Sequence, residues 1–176
     1  MSNSVVSSLH GQLKNARQVL EGTMEGVSPE QAHWTPPGKA NPLGATYAHI
    51  VSTEDGLVNG AIKGAAPLYL STNVGISEPS PAPDGSGLPD WGAWSRKVQV
   101  DVAAMRAYAQ AVYAASDEYL ASLTDEDLAR MVDLSGMGLG ERAVGDLLGT
   151  IIANTQWHTG EIACLKGLQG EKGYPF

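Results

Sequence analysis

Cysteine and basic residues are scarce in this chain of 176 residues. The single cysteine, Cys164, excludes an internal disulfide and a zinc site built from cysteines. Lysine and arginine together number 11 against 19 aspartates and glutamates, which gives a formal charge of -8. Because no cluster of basic residues could neutralise phosphates, we expect neither nucleic acid nor an anionic membrane as a partner.

Long hydrophobic runs are also missing. The longest apolar runs fall far short of the ~20 residues that cross a bilayer. The N-terminal sequence MSNSVVSSLHGQ has neither the basic region nor the continuous apolar region of a secretory signal. We therefore expect a soluble, unexported, cytoplasmic protein, and the length predicts one domain over residues 1–176.

Prolines cluster between Gly64 and Pro89. Proline removes a backbone donor and clashes with the preceding helical turn, so this stretch cannot be a helix interior. We expect a long loop rich in proline and glycine between the second and third helices. Loops of this length are uncommon in compact domains, and those that occur are functional or mobile.

Outside this loop, apolar residues recur at three- and four-residue spacing, which is typical of amphipathic helices. The pattern predicts four long helices: Ser4 to Gly26, Pro42 to Lys63, a third along the apolar stripe from Val98 to Leu123, and Arg142 to Leu168. A short helix is expected at DEDLARMV (125–132), followed by a glycine-rich turn, SGMGLGE. Alternating strand patterns are almost absent, so the predicted fold class is all-α, a four-helix bundle.

Two polar residues interrupt the apolar stripe of the last predicted helix. Asn154 and His158 are four residues apart, so their side chains share the inward face. An inward histidine is either a core imidazole with a hydrogen-bond partner or a metal ligand. The ligand interpretation requires partners from facing helices, where bundle cores build their metal sites.

The second predicted helix offers such partners. His49 lies beside its apolar face, and Glu54 lies on that face. A buried carboxylate needs a partner, so Glu54 either forms a salt bridge or helix-end hydrogen bond, or serves as ligand, acceptor or general base beside His49 and His158. The other two histidines, His10 and His33, have no comparable polar neighbours, and we expect them at the surface.

The cysteine and the tryptophans allow weaker expectations. Cys164 comes six residues after His158 and so on the opposite side of the predicted helix, and we expect a small buried residue and no nucleophile. Trp34, Trp91 and Trp94 stand in a turn or at the loop end, where indoles either pack on the core or line a ligand pocket. Trp157 is expected at the edge of the inward stripe or against another subunit.

Three segments occur in order along the chain: Asn41-Pro42-Leu43-Gly44, then Ala48-His49-Ile50 with Glu54 following, and finally Trp157-His158-Thr159-Gly160-Glu161-Ile162. In that order, and over essentially the whole length, the chain resembles the DinB-like proteins, also described as YfiT-like metalloenzymes and thiol-dependent S-transferases. The resemblance implies an up-down-down-up four-helix bundle. It also implies a divalent metal, often nickel or zinc, held by three histidines.

The resemblance places His49 at the ligand position of the second helix and His158 at the final ligand position. Asn154 stands where the middle histidine is expected. An amide oxygen binds transition metals less well than imidazole, so the metal site is weakened, rebuilt or lost. Glu161 is either an additional carboxylate ligand or a hydrogen-bonding surface residue.

Two functions remain open at this point. In the first, a divalent metal supports a transferase or hydrolase, by resemblance one that moves a low-molecular-weight thiol onto an electrophilic small molecule. In the second, the protein is a metal-free, non-catalytic small-molecule-binding or stress-related protein. In either case we expect a homodimer, because Tyr108, Tyr113 and Trp157 are interpreted as amphipathic residues on outer helix faces.

Overall fold

The computed structural model describes residues 4–79 and 90–176, most of which are helical. The α-helices of these ranges are α1 (Val5–Met24), α2 (Pro29–His33), α3 (Leu43–Glu54), α4 (Trp91–Ser95), α5 (Val102–Leu120) and α6 (Val144–Leu168). A π-helical segment, Asp55–Ile62, continues α3, and short 3-10 turns occupy Leu68–Leu70, Glu126–Ala129 and Ser135–Met137. The sheet in these ranges is an antiparallel pair, β1 (Met131–Asp133) and β2 (Glu141–Ala143).

The helix α1 begins at a well-capped N-terminus. The Ser4 hydroxyl accepts from the Ser7 backbone N–H at 3.1 Å. Asp125, which follows α5, accepts from the backbone N–H groups of Val5 and Val6 at 3.1 and 2.9 Å. Both contacts satisfy donors that a helix start leaves without an intrahelical partner. The cap therefore ties the loop after α5 to the start of α1.

The four longer α-helices pack against one another through their apolar stripes. Helix α1 contacts α5 and α6, and α3 also contacts both. The buried apolar residues form two clusters, one centred on α3 and α5 and the other on the π segment and the first half of α6. The prediction of a mainly helical protein is therefore confirmed.

The second predicted helix changes character halfway. It is α-helical as far as Glu54 and π-helical from Asp55 to Ile62. Its buried Asp55 carboxylate accepts from Asn59 Nδ2 at 2.9 Å, from the Tyr108 hydroxyl at 2.8 Å and from the Tyr69 backbone N–H at 3.0 Å. These bonds attach the π segment to α5 and to the connection that follows it.

The expectation that Tyr108 and Tyr113 lie on outer faces is wrong. Their exposed fractions are 1% and 8%. Tyr108 donates to Asp55, and the Tyr113 hydroxyl donates to Glu21 Oε1 at 2.9 Å. A phenol can be buried when a carboxylate accepts its hydroxyl proton, and the apolar periodicity does not reveal that partner.

The short helix predicted at DEDLARMV is also wrong. Only Glu126–Ala129 forms a 3-10 turn, while Met131 and Val132 belong to β1. The chain then reverses through the glycine-rich segment, where Gly138 and Gly140 have φ of 72° and 65°. Glycine adopts positive φ without steric cost, which permits the return into β2.

The proline-rich connection is described only in part. Residues 64–79 contain the turn Leu68–Leu70 and an isolated bridge between Ile76 and Val100, while the predicted loop at 80–89 lies outside the described residues. The short helix α4, which was not predicted, starts where the Asp90 carboxylate accepts from the Ala93 backbone N–H at 2.9 Å. None of the described helices combines the length and the apolar character needed to cross a membrane.

Candidate functional site

A pocket of about 210 Å³ opens between α3, α4 and α6. Its lining combines aromatic rings with neutral polar groups and one carboxylate: Asn41, Ala45, Thr46, His49, Trp91, Trp94, Ser95, His158 and Glu161. Pockets that bind drug-sized ligands enclose ~300–1,000 Å³, so this one suits a smaller molecule.

His49 and His158 meet in this pocket, as the sequence analysis anticipated. Their ring centroids are 5.0 Å apart and the ring planes are nearly perpendicular, at 89°. The Trp91 ring also contacts His49, with centroids 4.7 Å apart and planes at 72°. Helices α3, α4 and α6 thus each contribute one ring to a continuous aromatic wall.

His49 is held in its neutral form. Burial, reinforced by the neighbouring His158, lowers the pKa of His49 to about 4. Hydrogen bonding to the Asn154 side chain and the charge of Glu161 oppose this fall without reversing it. A neutral imidazole retains the ring nitrogen lone pair that a metal ligand or a proton acceptor requires.

His158 is paired with Glu161 one helical turn later. Its Nδ1 lies 2.7 Å from Glu161 Oε2. Because a carboxylate accepts and does not donate, Nδ1–H is the donor, and Nε2 carries the lone pair in the neutral ring. Carboxylates orient metal-binding histidines in this way, and they orient histidines that accept protons as well.

Asn154 lies near His49 but is not one of the residues that line the pocket. Its side chain is close enough to His49 to affect the pKa of that ring. Its Nδ2 is buried and has no hydrogen-bond partner among the described residues. The four-residue spacing put Asn154 on one helix face with His158, and the unsatisfied amide nitrogen could not be foreseen from it.

Comparison with known proteins identifies the family. The family model of the DinB superfamily matches residues 12–162. The chain belongs to the DinB superfamily. A solved structure described as the conserved protein of locus from Enterococcus faecalis superposes with a TM-score of 0.79 at 19% identity, covering 97% of this chain and 100% of that chain. At this identity the likeness shows the fold alone, and no curated protein matches the sequence.

Glu54 is directed away from the DinB pocket. It is 1% exposed and accepts two hydrogen bonds from Arg17, Nε to Oε2 at 2.9 Å and Nη2 to Oε1 at 2.6 Å. Arg17 Nη1 also donates to Asp117 at 2.6 Å. Of the two roles considered for Glu54, the geometry matches the salt bridge.

The two remaining histidines have structural partners. His10 Nε2 lies 2.8 Å from Asp117 Oδ1. His33 links α2 to the segment before α5, because Nδ1 contacts the Pro29 carbonyl at 2.7 Å and Nε2 accepts from the Val100 backbone N–H at 2.8 Å. Both rings are half-buried, so the expectation of plain surface residues is wrong for them.

The expectation of a buried Cys164 is wrong as well, since this residue is exposed. The six residues that separate it from His158 rotate it about 600°, which turns it away from the inward face of α6. Trp157 is 70% exposed, so it does not lie at the edge of the core.

The tryptophans of α4 line the DinB pocket, whereas Trp34 is half-buried against the core. Ser95 is a lining residue that the sequence analysis missed. Its hydroxyl is within hydrogen-bond distance of Asn41 Oδ1, at 2.9 Å, and of the Gly92 carbonyl, at 3.0 Å. The only signal for this link was the Asn41-Pro42 segment itself, which gave no indication of its partner.

The donor set matches only part of the metal site that the superfamily resemblance implies. Among residues 4–79 and 90–176, no group of three or more His, Cys, Asp or Glu side chains is arranged to hold a metal ion. The two imidazoles are nevertheless adjacent, His49 is neutral, and His158 is oriented by Glu161. Two imidazoles and an amide suit a weakly held divalent ion and do not suit a tightly held one.

Proposed function

We propose that this protein is a DinB-type four-helix bundle that acts on a small molecule as a divalent-metal-dependent thiol S-transferase with an incomplete three-histidine site. The observation that carries the proposal is the adjacent pair of imidazoles in the pocket, 5.0 Å apart, one on α3 and one on α6. The bundle would consist of α1, of α3 with its π-helical extension, of α5 and of α6. Nickel or zinc is the ion that the family resemblance suggests.

The proposed roles of the residues follow from their contacts. His49 and His158 would hold the ion, and Asn154 would supply a weaker third contact. Glu161 keeps the His158 ring oriented through the 2.7 Å contact with Nδ1. When bound, the ion would supply Lewis-acid chemistry and lower the pKa of a thiol. Trp91 and Trp94 would cover the pocket and exclude water from the reacting groups.

A second candidate function is metal-free binding of a small molecule without catalysis. The absence of a three-ligand group in the described part of the chain favours it. In this case Asn154 marks the loss of the metal, and the pocket keeps its shape for a ligand alone. The two functions differ in whether a divalent ion binds at His49 and His158.

The test is a titration of the metal-free protein with cobalt(II), followed by glutathione or cysteine. The transferase proposal predicts a thiolate-to-cobalt charge-transfer band that is lost in His49→Ala. Cys164→Ser is the matched control, because the exposed native thiol could itself bind cobalt, and it should keep the band. If the Cys164→Ser protein gives no band at any thiol concentration, the metal-dependent function is rejected and the binding function is favoured.

We also propose that the chain forms a homodimer through the outer face of α6. Trp157 and Leu168 on this helix are 70% and 64% exposed. Cys164 lies between them in sequence and is exposed as well. The three residues are seven and four positions apart, so they share one face of α6, and exposed apolar side chains on one face favour association.

A further inference from the structure

The pocket walls are aromatic and meet at steep angles. The planes of Trp91 and Trp94 lie at 86° with ring centroids 5.5 Å apart, and the His49 ring lies at 72° to Trp91 with centroids 4.7 Å apart. Rings in such an arrangement provide π-faces and edges around a shared space. The negatively charged face of an aromatic ring attracts cations, most strongly for tryptophan.

The charge of the lining has one sign. Glu161 is its carboxylate, and within the described ranges no lysine or arginine contributes to it. The adjacent Arg96 is exposed and donates to the Gly38 and Ala40 carbonyls, at 2.8 and 3.1 Å. The whole chain carries a formal charge of -8, so the long-range field also favours cations.

We propose that the metal-free pocket binds a small organic cation that carries an alkylated ammonium group. Quaternary and methylated ammonium ions combine positive charge with apolar surface, and perpendicular aromatic walls beside a carboxylate recognise both properties. The cavity of about 210 Å³ is large enough for such a head group.

The proposal names a ligand class for the metal-free function described above and does not depend on thiol transfer. A divalent ion at His49 and His158 would place positive charge in the same pocket. The metal ion and the organic cation should therefore compete for the pocket. Measuring this competition shows whether the metal-dependent function, the cation proposal or both fail.

The test compares two ligands of equal shape and different charge. Choline and its neutral isostere, in which a carbon replaces the nitrogen, are titrated into chelator-treated protein by calorimetry. We expect choline to bind about tenfold more tightly than the isostere, a ratio between those of an exposed and a fully desolvated cation–π contact. Equal affinities, or no choline binding at millimolar concentration, would overturn the proposal.

Two variants locate the binding, and each has a matched control. Trp91→Leu should weaken choline binding about tenfold, whereas Trp157→Leu removes an exposed indole outside the pocket and should have no effect. Glu161→Gln should weaken it about threefold, while Glu171→Gln removes the same charge from an exposed tail residue and should not. Trp91→Phe, which keeps an aromatic face, should retain most of the affinity if Trp91→Leu folds poorly. Equal effects in the pocket variants and in their controls would contradict the assignment.

Zinc separates this proposal from the metal-dependent function. If zinc weakens choline binding in the wild type, both ligands share the pocket and the cation proposal is supported. If the metal-free protein binds choline more tightly than the neutral isostere and zinc does not bind, the cation proposal is supported and the metal site is rejected. If zinc binds and choline does not, the cation proposal alone fails.

Discussion

At the residue scale, the strongest electrostatic feature lies outside the pocket. Arg17 and Glu54 form a two-point ion pair whose side chains are 5% and 1% exposed. Burial raises the pKa of Glu54, and the guanidinium of Arg17 counteracts that effect. A buried ion pair of this kind is costly to break, because removing one partner leaves the other charge buried without solvation. Its role is therefore to fix α1 against α3, and in doing so it sets the position of the helix that carries His49.

Replacing one member of this pair should destabilise the protein strongly. Arg17→Met leaves Glu54 buried without its partner, and we expect a loss of about 3–5 kcal/mol in the free energy of unfolding. Urea denaturation monitored by circular dichroism measures it. Lys14→Met is the control. Lys14 is 56% exposed and forms a solvent-screened ion pair with Asp117 at 3.4 Å, so its loss should lower the free energy of unfolding by less than about 1 kcal/mol.

The double variant Arg17→Met/Glu54→Leu tests the cause. Removing both charges should recover much of the stability, since apolar residues of similar volume can replace a buried ion pair. A double variant as unstable as the single one would mean that packing, and not the uncompensated charge, accounts for the loss.

At the scale of the elements, one connection packs closely against a helix. The segment before α5 is held by Gly75, whose carbonyl accepts from the Asp101 backbone N–H at 2.7 Å. A Cβ at Gly75 would lie 2.7 Å from the Met105 nitrogen. The close approach fixes the residues 64–79 against the start of α5.

Gly75→Ala should therefore be more damaging than backbone strain alone explains. Gly75 and Gly64 share a φ of +71°, but a Cβ at Gly64 would meet nothing within 4 Å. We expect a loss of ~1 kcal/mol for Gly64→Ala, from the positive φ. For Gly75→Ala we expect ~2 kcal/mol or more, from strain and steric overlap. Equal losses in thermal or urea unfolding would contradict the close packing.

The cap of α1 gives the stability a component that depends on pH. Hydrogen bonds from the backbone N–H of Val6 and, to a smaller extent, of Val5 lower the pKa of Asp125. A carboxyl group whose pKa is lower in the folded state stabilises the protein when the pH is above the unfolded-state pKa of about 3.9. This contribution disappears as the pH falls through the folded-state pKa. Asp125→Asn should thus unfold with a weaker pH dependence between about pH 4 and 2. Thermal unfolding across this range, with exposed Glu126→Gln as control, measures it; parallel curves for Asp125→Asn and wild type would contradict the cap.

The element boundaries show what the sequence could and could not predict. Apolar periodicity gave α1 and α6 almost to the residue, because their burial depends on spacing alone. It missed the π segment after Glu54, the strand at Met131 and the helix α4. The π segment depends on a hydrogen bond to a distant residue, from Tyr108 to Asp55, which a single sequence does not reveal. The helix α4 has a local cap at Asp90, but it is only five residues long and shows no apolar periodicity.

The same distinction holds for the candidate site. The residues on one helix face, Asn154 and His158, follow from four-residue spacing. Their proximity to His49 came from the family resemblance, and the structure places the two histidine rings 5.0 Å apart. The pairing of Glu54 with Arg17, and the contribution of Ser95 to the pocket, depend on contacts between helices for which the sequence held no signal.

At the scale of the whole molecule, the exposed face of α6 leads to a prediction about assembly. Light scattering at micromolar concentration should give twice the 18.4 kDa mass of the chain. Trp157→Glu should shift it to the monomer, since a charge at the centre of an apolar interface is not tolerated. Lys172→Glu, an exposed substitution beyond α6, is the control. A wild-type mass of 18.4 kDa would contradict the dimer.

The proposed divalent-metal site is weak because Asn154 stands where a third histidine ligand would complete it. The most direct measurement is calorimetric titration of zinc and nickel into metal-free wild type, Asn154→His and Gln156→His, the last adding a histidine at an exposed position of the same helix. The account predicts weak binding to the wild type and to Gln156→His. It predicts roughly tenfold or tighter binding to Asn154→His, where a third imidazole joins His49 and His158. Unchanged affinity in Asn154→His, or an equal gain in Gln156→His, would contradict it.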